Sequence, residues 1–168
     1  MSIEIRNEEP SDAEAIEAVT VAAFRNAPHA SRSEHIIVDA LRKAGQLTVS
    51  LVAEEDGGIV GHVAISPVTV SDGSPGWYGL GPISVAPERQ NRGIGARLME
   101  RAIEELRRLG AAGCVVPGDP AHYRRFGFKA ESGIVLPDVP PEYFQAVRFH
   151  GPTPAGAVSY HEAFHARA

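Results

Sequence analysis

The chain has 168 residues, 43% hydrophobic and 22% charged, with a formal net charge of −5, so a single domain over residues 1–168 with one well-filled core is expected. The acidic balance argues against nonspecific nucleic-acid binding, no run is apolar and long enough to cross a membrane, and the opening MSIEIRNEE is acidic rather than signal-like. A lone cysteine, Cys114, excludes an intrachain disulfide framework and makes a reducing cytoplasm the simplest compartment.

Residues 3–6 read as a short strand. Ser11, Asp12, Ala13 and Glu14 read as a capping box that opens a helix carrying Ile16, Val19, Ala23 and Phe24. A loop follows over residues 26–31. Ser33 then caps a second helix, whose buried face is Ile36, Ile37, Ala40, Leu41 and Ala44 before Gly45 stops it. His29, Arg32, Glu34, His35 and Asp39 lie in this region, and nothing in their spacing names a substrate. Residues 47–54 and 59–70 are strands rich in valine and isoleucine, joined across Glu55, Asp56, Gly57 and Gly58, a strong hairpin signal. His62 sits in the second of these strands. Together with Glu54 and Ser66 it is a candidate catalytic base, against the plainer reading of a structural histidine.

A third strand over residues 77–86 completes a mainly antiparallel meander. Ile83 and Val85 point to one face and Ser84 to the other. Pro82 offers no N–H to a neighbour, and Gly79 and Gly81 loosen the backbone around it, which predicts a bulge or splayed edge with backbone groups free for a ligand. After Pro87, the run Gln90, Asn91, Arg92, Gly93, Ile94, Gly95 turns the chain into a long helix. Its buried stripe is Ile94, Leu98, Ala102 and Leu106, widened by Met99, Ile103 and Leu109 and closed by Gly110. The first amides of a helix lack intrahelical partners and carry the positive end of its dipole, so this turn favours a phosphate. Gly93 and Gly95 allow close approach of a diphosphate, and Arg89, Arg92 and Arg97 add positive charge; the alternative is tight helix–strand packing. No Gly-Lys-Ser/Thr ending makes it a P-loop, and Leu98 stands where a dinucleotide fingerprint needs its third glycine.

Residues 112–116 form a short buried strand parallel to the one before the long helix, with Cys114 inside it as a small hydrophobe. Asp119 caps a short helix with Pro120 at its first position and Tyr123 on it. Phe126, Gly127 and Phe128 lead into a strand, and residues 134–136, 143–149 and 157–160 finish the sheet. His161, Glu162, Ala163, Phe164 and His165 fit the His-Glu-x-x-His zinc pattern. A third ligand is lacking in the three residues that remain, so no metal is expected.

Two of these stretches resemble one family. Val85-Ala86-Pro87-Glu88-Arg89-Gln90-Asn91-Arg92-Gly93-Ile94-Gly95 resembles motif A of the GNAT superfamily of acetyl-CoA-dependent N-acetyltransferases, with its Gln/Arg-x-x-Gly-x-Gly/Ala core, and Tyr123-Arg124-Arg125-Phe126-Gly127-Phe128 is similar to the family's Tyr-x-x-x-Gly-Phe. The resemblance covers about residues 3–130 and leaves 131–168 as variable C-terminal strands. It implies an α/β (α+β) acetyltransferase fold: a mixed, mainly antiparallel sheet with a splayed central strand pair and helices on both faces. It implies acetyl-CoA as cosubstrate, with the backbone of Ile83, Ser84 and Val85 holding the pantetheine arm. The amides of Gln90, Asn91, Arg92, Gly93, Ile94, Gly95 and Ala96 would hold the diphosphate, and Asp119, Tyr123 and Phe126 would complete the cofactor set.

The same resemblance makes Tyr123 the general acid, since a phenol with a pKa of about 10 can protonate the departing thiolate. Neighbouring His122 points about 100° away on the helix. For the base, the expectation is a water chain ending on Glu54, His62 or Ser84. The acceptor is a primary amine of a small molecule or peptide, in a pocket built from residues 26–32, residues 71–76 and the C-terminal segment. Members of that family commonly dimerise, and no residue of the sequence demonstrates a homodimer here. The rival expectation is a sensor module that binds the cofactor without turnover; the presence of Tyr123 favours an enzyme.

Overall fold

In the computed structural model, which describes residues 2–27 and 30–167, the branched apolar segments become the centre of the sheet; His29 lies outside the described residues. Strands β1 (Ile3–Asn7), β2 (Val49–Glu55), β3 (Gly58–Val70) and β4 (Trp77–Val85) form an antiparallel meander. The β2–β3 hairpin turns on two residues, Asp56 with φ 51° and Gly57 with φ 84°, the left-handed pair that a two-residue hairpin loop requires. Strand β5 (Gly113–Pro117) adds parallel to β4 through helix α3 (Ile94–Arg108). The C-terminal strands β8 (Phe144–Arg148) and β6 (Lys129–Ala130) extend the sheet beyond β5. Strand β9 (Gly156–Tyr160) pairs instead with the far end of β3, and β7 (Ile134–Val135) pairs with β9.

Side-chain alternation divides the sheet into two buried faces. Leu51, Ala53, Val63 and Ile65 share a cluster with Ile94, Leu98, Met99, Ala102 and Leu106 of α3. Val52, one residue out of phase, packs with Ile16 of α1 (Ala13–Phe24) and Val38 of α2 (Glu34–Lys43). Each large apolar side chain buried from α3 contributes about 1.5–3 kcal/mol. At Gly61 of β3 an added Cβ would meet Leu98 and the Ser84 carbonyl at 3.1 Å, so the first turn of α3 rests directly on the strand.

Helix ends follow backbone hydrogen bonding more closely than simple pattern. Gly45 and Gly110 both sit in Schellman turns, with Gln46 N–H donating to the Leu41 carbonyl and Ala111 N–H to the Leu106 carbonyl. The turn at Gly110 carries Leu109 out of the buried stripe, and it is 58% exposed rather than packed. On α2 the buried residues are Ile37, Val38 and Leu41; Ala44, expected on that face, is the C-cap and is exposed. The Ser11–Glu14 capping box does not form. Asp12 instead accepts from the Glu9 backbone N–H at 2.7 Å and is held by Arg6 at 2.8 Å, so the helix is entered through a 3₁₀ turn, Pro10–Asp12.

Candidate active site

Pro82 and Gly81 place two residues of β4 opposite one of β3: Val63 pairs with Ile83, while Ile65 pairs with Leu80. This is a β-bulge, and beyond it the neighbouring strand is lost. Strand β5 pairs only with Trp77, Tyr78 and Gly79. From Leu80 to Val85, therefore, β4 has a partner on the β3 side and no strand on the other among the described residues. Ala86 N–H donates to the Val60 carbonyl, and by the alternation of an antiparallel ladder Ser84 turns its backbone groups toward β3, while Ile83 and Val85 turn theirs to the open side. One open-side group already has a partner, since the Gln90 side-chain amide donates to the Val85 carbonyl at 3.1 Å.

The open edge leads into the turn before α3. Asn91 has φ 65° and Gly93 φ 80°, left-handed conformations that curl successive backbone amides into a concavity. The first intrahelical bond runs from Arg97 N–H to the Gly93 carbonyl, so the amides of Ile94, Gly95 and Ala96 precede the ladder and point out of the helix end. The turn is braced from below by Glu55, whose side chain is 1% exposed and accepts from Arg89 at 2.6 Å and Arg92 at 3.4 Å. The Arg89 guanidinium holds this carboxyl below the usual carboxylate range. The positive charge of Arg89 and Arg92, expected at the phosphate, is thus shared with a buried carboxylate.

On the other side of the opening, Asp119 caps α4 (Pro120–Tyr123) by accepting from Ala121 N–H at 2.9 Å. Tyr123 follows at the end of that helix, and burial pushes its phenol pKa up. Gly118, with φ 151°, makes room for it: an added Cβ would lie 2.5 Å from the Tyr123 ring. Tyr123 lines a cavity of about 800 Å³ that begins along Leu80, Gly81, Pro82 and Ile83, faces Val116 and Pro117, and continues to Phe24, Ser31, Glu34 and Ile37 and to Ser159, Tyr160, Phe164 and His165.

A family profile described as an acetyltransferase (GNAT) domain matches residues 46–130, the segment that holds the bulge, the amide turn and α4. The chain is 36% identical over 169 residues to the uncharacterized N-acetyltransferase YhbS of Escherichia coli K12, covering 95% of this chain and 97% of that protein. The chain belongs to the GNAT acetyltransferase family. Among solved structures, a GNAT family acetyltransferase from Brucella melitensis in complex with acetyl-CoA has a TM-score of 0.87 and 50% identity, covering 97% of this chain and 98% of that one. YhbS from Escherichia coli in complex with CoA also has a TM-score of 0.87, at 33% identity over 99% of this chain and 93% of that one. The mixed, mainly antiparallel sheet is thus the GNAT fold, and the chain is an acetyltransferase by family.

The GNAT fold does not bring together all the residues named from sequence. Ile83 and Tyr123 line the cavity, whereas Gln90 to Ala96, the turn and first residues of α3, lie outside its lining and follow the open edge of β4 in the chain. Glu54 does not line it, because its carboxylate accepts from Arg6 at 2.7 Å near the β1 edge. Ser84 is buried at 2% exposure and does not line the cavity, and its hydroxyl has no hydrogen-bond partner among the described residues. Asp119 is spent on its cap, Phe126 packs into the main core, and residues 71–76 form a turn tied to Ala155 through Asp72 rather than a cavity wall. The His161–His165 segment is not an α-helix: Glu162–His165 is a 3₁₀ turn, and the His161 Nδ1 accepts from Ala163 N–H at 3.0 Å. Two wall residues that sequence spacing did not single out are Glu34 and Tyr160. Each has a buried oxygen without a hydrogen-bond partner among the described residues.

His62 is fully buried, with Nε2 2.8 Å from the Ser50 hydroxyl, which in turn donates to Glu8, the partner of Arg42. Burial pulls its pKa from 6.5 down to about 4, so at neutral pH it is an uncharged structural group away from the cavity. Because the unfolded chain takes the proton at a higher pH than the folded one, stability is full above pH 6.5 and falls as pH drops toward 4. Urea unfolding at pH 7 and pH 4.5 should differ by roughly 2–3 kcal/mol from this group. In His62→Gln that difference should shrink by the same amount, and an unchanged pH dependence would remove His62 as its source.

Proposed function

We propose that this protein transfers an acetyl group from acetyl-CoA directly to a primary amine of a small molecule or peptide. The observation that carries the reading is the open edge of β4 running from Tyr123 into an amide-lined turn, a slot with strand-like hydrogen-bonding groups at one end and an anion site at the other. The acetyl-CoA and CoA complexes of the two similar proteins support the same cosubstrate. When bound, acetyl-CoA supplies the acetyl group as an activated thioester.

In this reading the N–H and C=O groups of Ile83 and Val85 hold the pantetheine arm as an added strand, and the Gln90 side chain swings off the Val85 carbonyl or shares it. The amides of residues 91–96 hold the diphosphate, and Glu55 keeps the turn in place through Arg89 and Arg92. An open-side N–H of this edge would polarise the thioester carbonyl. Tyr123, kept protonated by burial, gives its proton to the departing sulfur, and the amine loses one to solvent or to a cavity group.

A thermal-unfolding titration tests the cosubstrate. Acetyl-CoA at a hundred times its dissociation constant stabilises by about 2.7 kcal/mol, a rise of roughly 5–10 °C for a chain of this length. Coenzyme A should act similarly, and no rise at millimolar acetyl-CoA would end the proposal.

A further inference from the structure

The acceptor end of the cavity has a charge pattern of its own. Among the described residues its walls carry one carboxylate, Glu34, and neither arginine nor lysine; the remaining surface is mostly apolar, from Phe24, Ile37, Val158 and Phe164. Glu34 is the first residue of α2, and its Oε2 is already used, accepting from Ser31 N–H at 2.9 Å and from the Ser31 hydroxyl at 3.2 Å. That leaves Oε1 buried with no partner among the described residues, on the same cavity as the equally unpartnered Tyr160 hydroxyl. A buried carboxylate oxygen without a donor is costly, and a cationic donor resolves the cost.

We propose that Glu34 receives the acceptor's ammonium group as it enters and takes the proton that the nitrogen must shed before attack, and that the acceptor is an amine with an apolar body and no carboxylate of its own. This rests on the acetyl-transfer reading above and narrows it. An ammonium brings three donors to a wall that offers acceptors in Glu34 Oε1 and the Tyr160 oxygen. The apolar walls desolvate the rest of the molecule. An α-amino acid would meet Glu34 as a like charge, and the arginines nearest Glu34, Arg25 and Arg32, line an adjoining pocket, which leaves the exposed His165 as the one basic side chain on this cavity among the described residues. Tyr160 is held over the cavity by Gly79, where an added Cβ would come against its ring, so both acceptor atoms stand on fixed elements.

The test uses 2-phenylethylamine and phenylalanine, which differ by one carboxylate. Wild-type protein with saturating acetyl-CoA should release coenzyme A with phenylethylamine at a kcat/KM about tenfold or more above that for phenylalanine. In Glu34→Gln, whose amide oxygen still accepts from Ser31, KM for phenylethylamine should rise about tenfold while the thermal shift with acetyl-CoA is unchanged. Phenylethylamine alone should raise the melting temperature of wild type and not of Glu34→Gln. Equal or better use of phenylalanine, an unchanged KM in the variant, or no turnover of phenylethylamine despite a full acetyl-CoA shift would each overturn the assignment. Loss of the acetyl-CoA shift in wild type is the separate failure of the cosubstrate reading, and the amine-only melting arm then still decides for or against Glu34.

Discussion

Tyr123→Phe is expected to lower kcat by roughly a hundredfold to ten-thousandfold, the usual worth of a positioned general acid, while the acetyl-CoA dissociation constant moves by less than about threefold. Only the hydroxyl is removed, and the ring stays packed against Phe128 and over Gly118, so the walls of the slot keep their shape. No hydrogen bond ties the Tyr123 hydroxyl to another described residue, and burial keeps the phenol protonated across the working pH range. Its proton is therefore available and its loss leaves no stranded partner. Steady-state rates with an excess of amine, set beside a binding titration, separate the two quantities. Equal losses in turnover and affinity would take Tyr123 out of the acid role.

The second large effect is at the turn. Gly93 has φ 80°, and an added Cβ there meets nothing within 4 Å, so the protein itself has room for a side chain at this position and a clash would come from the ligand. Gly93→Val should weaken acetyl-CoA binding by about a hundredfold or more, the value of one or two charge-assisted hydrogen bonds lost when a diphosphate can no longer reach the amides. A left-handed conformation at a non-glycine residue costs about 1–2 kcal/mol, which should lower the melting temperature by only a few degrees in a chain of this length. A calorimetric titration and a melting curve on the same sample read both. Unchanged affinity would move the diphosphate away from this turn.

These two positions were legible in the sequence because each belongs to a local pattern: a glycine pair at the start of a helix, and a tyrosine four residues before a glycine. The bulge was legible for the same reason, since proline cannot serve a ladder and the chain must depart from it there. Partnerships across the sheet were not. Glu54 and Glu55 are adjacent in the chain and face opposite sides by strand alternation, but which arginine each meets, Arg6 for Glu54 and Arg89 and Arg92 for Glu55, is set by elements distant in the chain. His62 reads as a reactive group until the depth of its burial is known. Glu34 and Tyr160 come from elements separated by most of the chain, and only the return of β9 to the far end of β3 brings Tyr160 over the cavity.

The open side of β4 has a cost apart from chemistry. A strand whose N–H and C=O groups face outward will accept any extended chain of suitable register, including another copy of the same protein. Gln90 covers the Val85 carbonyl, and the left-handed turn at Asn91 bends the chain away after it, but Ile83 has no such cover among the described residues. A ligand lying along this edge therefore caps a sticky seam as well as presenting a reactive group. Protein kept without it exposes the surface by which strands aggregate.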